Sequence, residues 1–366
     1  MFHERLEKNR LCFETKFYED FDATLEDICL DYFIPTSASM VTKPVLLIFP
    51  GITGSSESYY VQSLIRTVKD EYQIVVFNRP GCHSKKNGSL KKAKFFLNSH
   101  KRTIERVIDI VHKQYENSKI LLVGYSAGGV NITKQLGSKK VKKNKAVIGD
   151  ITISQPFDMI ETLKALEFNA AYNKFLVTFI LDVFKNNQAT IEKEFPELND
   201  ALVQKCTTVT KIDEHLTKKM HNFTDVNIEF YNKRSTFMKH LQRISGSKIL
   251  SRVKTTKNDE GESVFYEENE SHNHSQEWKA PVFIMMAKDD QIATYDSQKM
   301  TEVIHAEHAS HLYLIESKKG GHCSFLEQYS AWIPFSTNLH QSFSDKVSQQ
   351  VLRAIVKENQ LFESTQ

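Results

Sequence analysis

The chain is short of three things: paired cysteines, long apolar runs, and excess charge of either sign. Its five cysteines (Cys12, Cys29, Cys82, Cys206 and Cys323) show no C-x-x-C spacing and leave one over. That argues against a disulfide framework or a cysteine-ligated zinc site, and for a reducing compartment. His272-Asn273-His274 has neither neighbouring cysteines nor a helical i, i+4 partner, so no metal is expected, and no cofactor is implied elsewhere. No apolar stretch reaches the roughly eighteen residues that span a bilayer. The densest, Phe175 to Phe184, is short and carries Asp182. The opening Met-Phe-His-Glu-Arg-Leu-Glu-Lys does not read as a secretory leader. The expectation is a soluble-looking protein, cytoplasmic or peripheral to a membrane. A formal charge of +3 over 366 residues gives no reason for a nucleic-acid partner. The lysines at 91, 92 and 94, and the cluster Lys139, Lys140, Lys142, Lys143 and Lys145, read as solvated surface. The second cluster also suits the end of a helix.

What the chain has is alternation. Pro44 to Phe49 is a continuous apolar run, the mark of a strand buried on both faces of a parallel sheet. A glycine-rich loop, Pro50-Gly51-Ile52-Thr53-Gly54, follows it, then a helix expected from about Ser58 to Asp70. Tyr72 to Asn78 is the next strand. Thr103 to Tyr115 has helical spacing, with Ile104, Val107, Ile108 and Val111 on one side. In the stretch from Lys119 an apolar run too short for most helices reads as a strand leading into Gly124, Val130 to Leu136 is a helix-compatible segment, and Ala146 to Ile153 is a strand. Strands alternating with helices in this way predict a parallel, doubly wound sheet. Upstream, Asp27 to Phe33 has Ile28, Leu30 and Tyr32 at period two, with Asp27 and Asp31 opposite. That pattern suits a half-exposed edge strand.

After Pro156 the pattern changes. At 366 residues the chain exceeds what one compact core usually holds, so a sizeable excursion is expected. Residues from Asp158 to about Leu250 read as helices. Tyr172, Leu176, Phe179, Ile180 and Val183 line one face, widened by Phe175, Val177, Leu181 and Phe184. Two readings stand: a helix packed in a core, or the lid of an acyl-chain pocket that could dip into a lipid surface. Thr255 to Glu277 reads as a flexible polar insertion. Strands return at Pro281 to Met286 and His311 to Ile315, with a helix from Tyr295 to Ala306 between them. A last amphipathic helix runs from Ser344 to Lys357. The expected division is 1–156 and 280–366 for the two parts of the core, 157–250 for the helical cap, and 251–279 for the insertion.

Gly124-Tyr125-Ser126-Ala127-Gly128 lies between a strand and a helix, the context of a nucleophile elbow, in which a serine sits on a strained turn flanked by small residues. A serine hydroxyl needs a base, and the base needs an orienting carboxylate. On such a sheet they follow in the order serine, acid, histidine, beyond the C-terminal ends of strands. Asp289 and Asp290 end one strand and His322 follows another, behind Gly320 and Gly321. Asp290 is favoured as the acid; Asp289 alternatively caps the loop. The oxyanion donors expected are the N–H groups of Ala127 and Ile52. Cys82 lacks a dedicated base and reads as a small buried residue.

Pro50-Gly51-Ile52-Thr53-Gly54 with Glu57-Ser58-Tyr59, Val75-Val76-Phe77-Asn78, Gly124 to Gly129, Asp289-Asp290, and Gly320-Gly321-His322 with Phe325-Leu326-Glu327 together carry a resemblance. The chain resembles the YheT-like branch of the alpha/beta hydrolases, the AB hydrolase 4 family, and within it the eukaryotic alpha/beta-hydrolase domain proteins 1 to 3. The resemblance implies an alpha/beta-hydrolase fold with a helical cap inserted after the sixth strand. It also implies a serine hydrolase of carboxylic esters, with monoacylglycerols or phospholipids as the substrate class and the cap available for peripheral membrane contact. An acyltransferase using the same acyl-enzyme, or a non-catalytic binding protein, is the alternative. Eukaryotic members commonly begin with a membrane anchor, for which no apolar run is found here. Arg79-Pro80-Gly81 stands where Arg-Gly is usual, and the 255–277 insertion is long. The His340 to Asp345 spacing seen in acyltransferases reads as coincidence.

Overall fold

The computed structural model describes residues 11–20, 25–34, 43–82, 90–93, 101–116, 118–136, 146–221, 252–257, 263–268, 280–293, 300–301, 311–323 and 342–364. In chain order these hold β1 (Phe13–Tyr18), β2 (Ile28–Phe33), β3 (Val45–Phe49), α1 (Tyr59–Val68), β4 (Gln73–Asn78), α2 (Lys101–Gln114), β5 (Ile120–Tyr125), α3 (Ala127–Leu136) and β6 (Val147–Ile153). The helical excursion opens with α4 (Met159–Phe168), α5 (Ala170–Asn186), α6 (Gln188–Glu194) and α7 (Asp200–Val203). Next, α8 (Val209–Ile212) runs on through a π turn at Asp213–Thr217 into a last helical turn at Lys218–Met220. Beyond it come β7 (Arg252–Lys257), β8 (Ser263–Glu268), β9 (Val282–Ala287), β10 (Leu312–Ser317) and α9 (Phe343–Ser364).

Eight strands form one sheet in the order β1-β2-β4-β3-β5-β6-β9-β10. From β4 to β10 every pairing is parallel, and β2 joins β4 antiparallel, as β1 joins β2. The all-apolar β3 is buried along its whole length, as expected of a strand covered on both faces. One face is covered by α2 and α3, whose Ile104, Val107, Ile108, Val111, Val130 and Ile132 pack on Val45, Leu47, Phe49 and Leu122. The other is covered by α1 and α9, where Val61, Leu64, Ile65, Leu352 and Ile355 meet Leu46, Ile48, Val123 and Ile151. The fold is the parallel, doubly wound architecture that the alternation of strands and helices predicts.

Three expectations need correction. β2 is not an edge strand: β1 takes the edge, and β2 is buried almost throughout. Asp31 is buried as well, accepting a hydrogen bond from Thr15 Oγ1 at 2.6 Å and another from Ser56 Oγ. The polar 255–277 stretch is not wholly irregular, because β7 and β8 pair as an antiparallel hairpin; β-branched Val253, Thr255, Thr256 and Val264 favour that outcome. The wide apolar face of α5 splits in two. Val177, Ile180, Val183 and Phe184 are buried against Leu90, Ile191, Leu198 and Ile212, whereas Tyr172, Phe175 and Phe179 face outward. The reason is geometric: one helix face buries a stripe, and ten consecutive residues with a single acid wrap most of the way round.

His340 lies outside the described residues, and so do His272, His274, Lys139 to Lys145 and all but residues 300–301 of the Tyr295–Ala306 helix. Asp345 has a structural role. It and Ser342 form a reciprocal capping box at the start of α9, and Ser63 Oγ donates to the same carboxylate. No helix among the described residues is long and apolar enough to cross a membrane.

Candidate active site

The order of strands sets where chemistry can occur. The chain leaves β3 towards β4 on one side and later returns to β5 on the other, so a crevice opens beyond the C-terminal ends of β3 and β5. Phe49 and Gly124 are register partners across that pair, so the loop after β3 lies beside the turn after β5.

Ser126 sits on that turn with φ +50°, a left-handed conformation that costs a non-glycine residue strain. Its N–H is held by the Ile153 carbonyl at 2.8 Å, and its own carbonyl accepts from Gly129 N at 2.9 Å. The tight path excludes side chains nearby. A Cβ on Gly128 would stand 2.0 Å from the Phe49 carbonyl oxygen, and one on Gly124 would stand 2.6 Å from the Gly129 nitrogen. Ala127 opens α3, so its N–H has no intrahelical acceptor and is aligned with the positive end of the helix dipole.

The structure brings Ser126, His322 and Asp290 together. His322 Nε2 is 2.9 Å from Ser126 Oγ, and His322 Nδ1 is 2.9 Å from Asp290 Oδ2. With Nδ1–H donating to the carboxylate, Nε2 is left to accept the serine proton. Asp290 is almost fully buried, and its Oδ1 also accepts from the N–H groups of Ile292 at 2.9 Å and Ala293 at 2.8 Å. Burial opposes its ionisation, but His322 and the two N–H groups outweigh burial and hold the carboxyl below the usual carboxylate range. For His322, burial disfavours the imidazolium. Cys323 and Asp290 pull the other way and raise the pKa to about 10.

Asp289 takes the other role considered for it. Its Oδ1 accepts from Gly320 N at 2.8 Å and Gly321 N at 2.9 Å, capping the loop that carries His322. Ile52 stands in the loop after β3, its side chain against the apolar cluster of the helical excursion. Gly51 approaches Ser126 so closely that a Cβ there would lie 3.3 Å from the serine Cβ. Cys82 is half-buried, its Sγ 3.4 Å from the Pro80 carbonyl, and burial pushes its thiol pKa up to about 12.

Two supporting residues were missed by the sequence reading. Ser154, also at positive φ, accepts from Cys323 N at 3.0 Å and so pins the residue after His322. Tyr60 accepts the Gly51 N–H at 3.0 Å. Neither has a motif of its own: Ser154 meets Cys323 only when β6 and β10 come to the same edge of the sheet, and Tyr60 reaches back from α1 to the loop before it. A small pocket lies inside the excursion, lined by Phe184, Ile191, Leu198 and Val203, and none of the site residues contributes to it.

A strand, a serine at positive φ and a helix, followed on later strands by an acid and a histidine, define an open α/β sheet built around a nucleophile elbow. The chain belongs to the alpha/beta hydrolase fold family, whose model matches residues 44–329. Over 208 residues it is 29% identical to the embryogenesis-associated protein EMB8 of Picea glauca, covering 55% of this chain and 44% of that one. It is 25% identical to a monoacylglycerol lipase of Saccharomyces cerevisiae over 204 residues, 53% of this chain and 44% of the lipase. Phospholipase ABHD3 of Homo sapiens matches at 23% over 198 residues, 53% of this chain and 46% of that one. The chain thus spans about half the length of the curated relatives it matches. Among solved structures, the esterase Pf2001 of Pyrococcus furiosus superposes with a TM-score of 0.51 at 11% identity, covering 96% of this chain and 92% of that one. That likeness concerns the fold alone.

Proposed function

We propose that the protein is a serine hydrolase of carboxylic esters, acting on lipid esters of the monoacylglycerol or phospholipid type. The observation that carries this reading is the continuous hydrogen-bonded line from Ser126 Oγ through the His322 ring to Asp290, at 2.9 Å on each side. Ser126 attacks the ester carbonyl while His322 Nε2 takes the hydroxyl proton, and Asp290 holds the resulting imidazolium. The carbonyl electron pair moves onto oxygen, where the N–H groups of Ala127 and Ile52 receive it. Collapse expels the alcohol, which takes the proton from His322, and leaves an acyl-enzyme. Water then gives a proton to the same nitrogen and attacks the acyl carbon; the acyl–Oγ bond breaks, Ser126 takes the proton back from His322, and the acid leaves.

The lipid part of the reading is supported by the relatives named as lipases and by the helical excursion that follows β6, described as far as His221. Tyr172, Phe175 and Phe179 of α5 are 40%, 55% and 46% exposed, and their spacing of i, i+3 and i+7 forms one outward stripe, with Phe168, 93% exposed, at the end of α4 just before it. Such a stripe suits peripheral contact with a lipid surface.

The test is hydrolysis of p-nitrophenyl esters of increasing chain length, and of monoacylglycerol in phosphatidylcholine vesicles, by the wild type and Ser126→Ala. The wild type is expected to favour longer chains, with the variant at background. Undiminished turnover by the variant would overturn the nucleophile. Activity independent of chain length would remove the lipid reading while leaving an esterase. Preferential capture of the acyl group by an added alcohol would make the protein an acyltransferase.

A further inference from the structure

Arg79 follows β4 and is a buried cation, and three of its side-chain hydrogen bonds run to main-chain carbonyls of the loop after β3. Its Nε donates to the Gly51 carbonyl at 2.7 Å and to the Pro50 carbonyl at 3.2 Å, and Nη2 donates to Pro50 at 3.2 Å. Its own N–H ties to the Gly54 carbonyl at 3.2 Å. The Gly51 carbonyl belongs to the same peptide unit as the Ile52 N–H. A trans peptide is planar, with its C=O and N–H pointing in opposite directions, so holding the oxygen aims the hydrogen.

The polar groups of Gly51 are already engaged. Gly51 N–H donates to Tyr60 Oη at 3.0 Å, and the Gly51 carbonyl also accepts from Gly54 N–H at 3.0 Å. Among the described residues the Ile52 N–H has no hydrogen-bond partner. Thr53 beside it is held at φ +61°, so the turn is fixed against its own preference.

We propose that Arg79 is the positioning residue of the oxyanion hole: it locks the Gly51–Ile52 peptide so that the Ile52 N–H stays presented beside Ser126. The inference rests on the hydrolase reading and adds to it the origin of the second donor. Arg79 transfers no proton and touches no substrate. As the Ser126 Oγ–carbon bond forms and the carbonyl electrons move to oxygen, the guanidinium behind the peptide keeps the N–H pointed at that charge and polarises it. Without Arg79 the peptide can turn over, and a carbonyl oxygen would then face the oxyanion.

The experiment compares Arg79→Gln and Arg79→Lys with the wild type in p-nitrophenyl butyrate kinetics, thermal melting and crystal structures. Losing one such donor lowers kcat on the order of 100-fold, so Arg79→Gln is expected to lose about that much with KM changed by less than about threefold. Arg79→Lys, which keeps a charge and a donor, is expected to recover part of the loss. The Gly51–Ile52 peptide is expected to be turned or displaced in the Arg79→Gln crystal. An unmoved peptide, or kcat equal to wild type in a folded variant, would overturn the inference. Should Arg79→Gln fail to fold, Arg79→Lys decides by the same readings: reduced kcat at constant KM supports the role and unchanged kcat refutes it. If the wild type hydrolyses no ester, the hydrolase reading fails, and the peptide's orientation in the variant crystal still decides what Arg79 holds.

Discussion

The floor of the sheet and the rim at its C-terminal edge follow different rules. In the floor, β3 and β5 are buried along their whole length by apolar residues in ordinary extended backbone. At the rim, polar groups crowd together and the backbone is bent out of its usual range. The described non-glycine residues with positive φ are Thr53, Ser126, Ser154 and Cys323, and they lie in the loops after β3, β5, β6 and β10. Each such residue costs on the order of 1–3 kcal/mol. One fully buried aliphatic side chain contributes about 1.5–3 kcal/mol, and the floor holds dozens, so the floor keeps the rim in shape. Strain is confined to where the site requires it.

Three changes would break or sharpen that contrast. Asp290→Asn at the rim should have the largest effect: the fold stays intact, and kcat falls about 10³- to 10⁴-fold because the imidazole loses its orienting charge. The pH profile carries the sign. His322 must be neutral to accept a proton, and its pKa is raised, so the acid limb of kcat/KM in the wild type should lie above the ordinary histidine value of about 6.5. Removing the Asp290 charge should move that limb to lower pH. A limb that stays put would show that Asp290 does not govern the ring.

Gly128→Ala should follow in size, since its methyl group would meet the Phe49 carbonyl where floor and rim join. Destabilisation of about 3 kcal/mol or more is expected. A melting temperature within about 2 °C of wild type, less than 1 kcal/mol for a chain this large, would refute the close approach.

Asp150 is the floor's exception, and its replacement should give the smallest change. It lies in β6, fully buried, and neither carboxylate oxygen has a hydrogen-bond partner among the described residues. Burial pushes its pKa well above the ordinary carboxylate value. The folded state therefore keeps a proton that the unfolded chain gives up above about pH 4, so this residue costs stability increasingly as pH rises from there. Asp150→Asn should be more stable than wild type at pH 8 by about 1–3 kcal/mol, and so melt higher, with the gain shrinking as pH falls towards 4. A gain independent of pH would mean that Asp150 is not protonated in the fold.

Floor and rim were also unequally legible in the sequence. The apolar runs of β3 and β5 and the spacing of Ile104, Val107, Ile108 and Val111 are local signals, and those elements form where expected. Ser126, the two aspartates and His322 stand out because each follows a strand and is framed by glycine or by strand-ending residues. What could not be read depends on pairing across the chain. The edge strand β1 shows only in its partnership with β2, and Asp31 turned inward because Thr15 and Ser56 receive it. The outward turn of Phe175 and Phe179 depends on which stripe of α5 meets Leu198 and Ile212. Arg79 looked like part of a turn, since its carbonyl partners lie on the loop of a neighbouring strand.

The central claim is that the rim holds Ser126 as a nucleophile activated by His322. Intact-mass analysis after treatment with a fluorophosphonate probe tests it most directly. One adduct per chain is expected, mapping to the peptide that contains Ser126 and absent from Ser126→Ala. Equal labelling of the two proteins, or an adduct on another residue, would contradict the account.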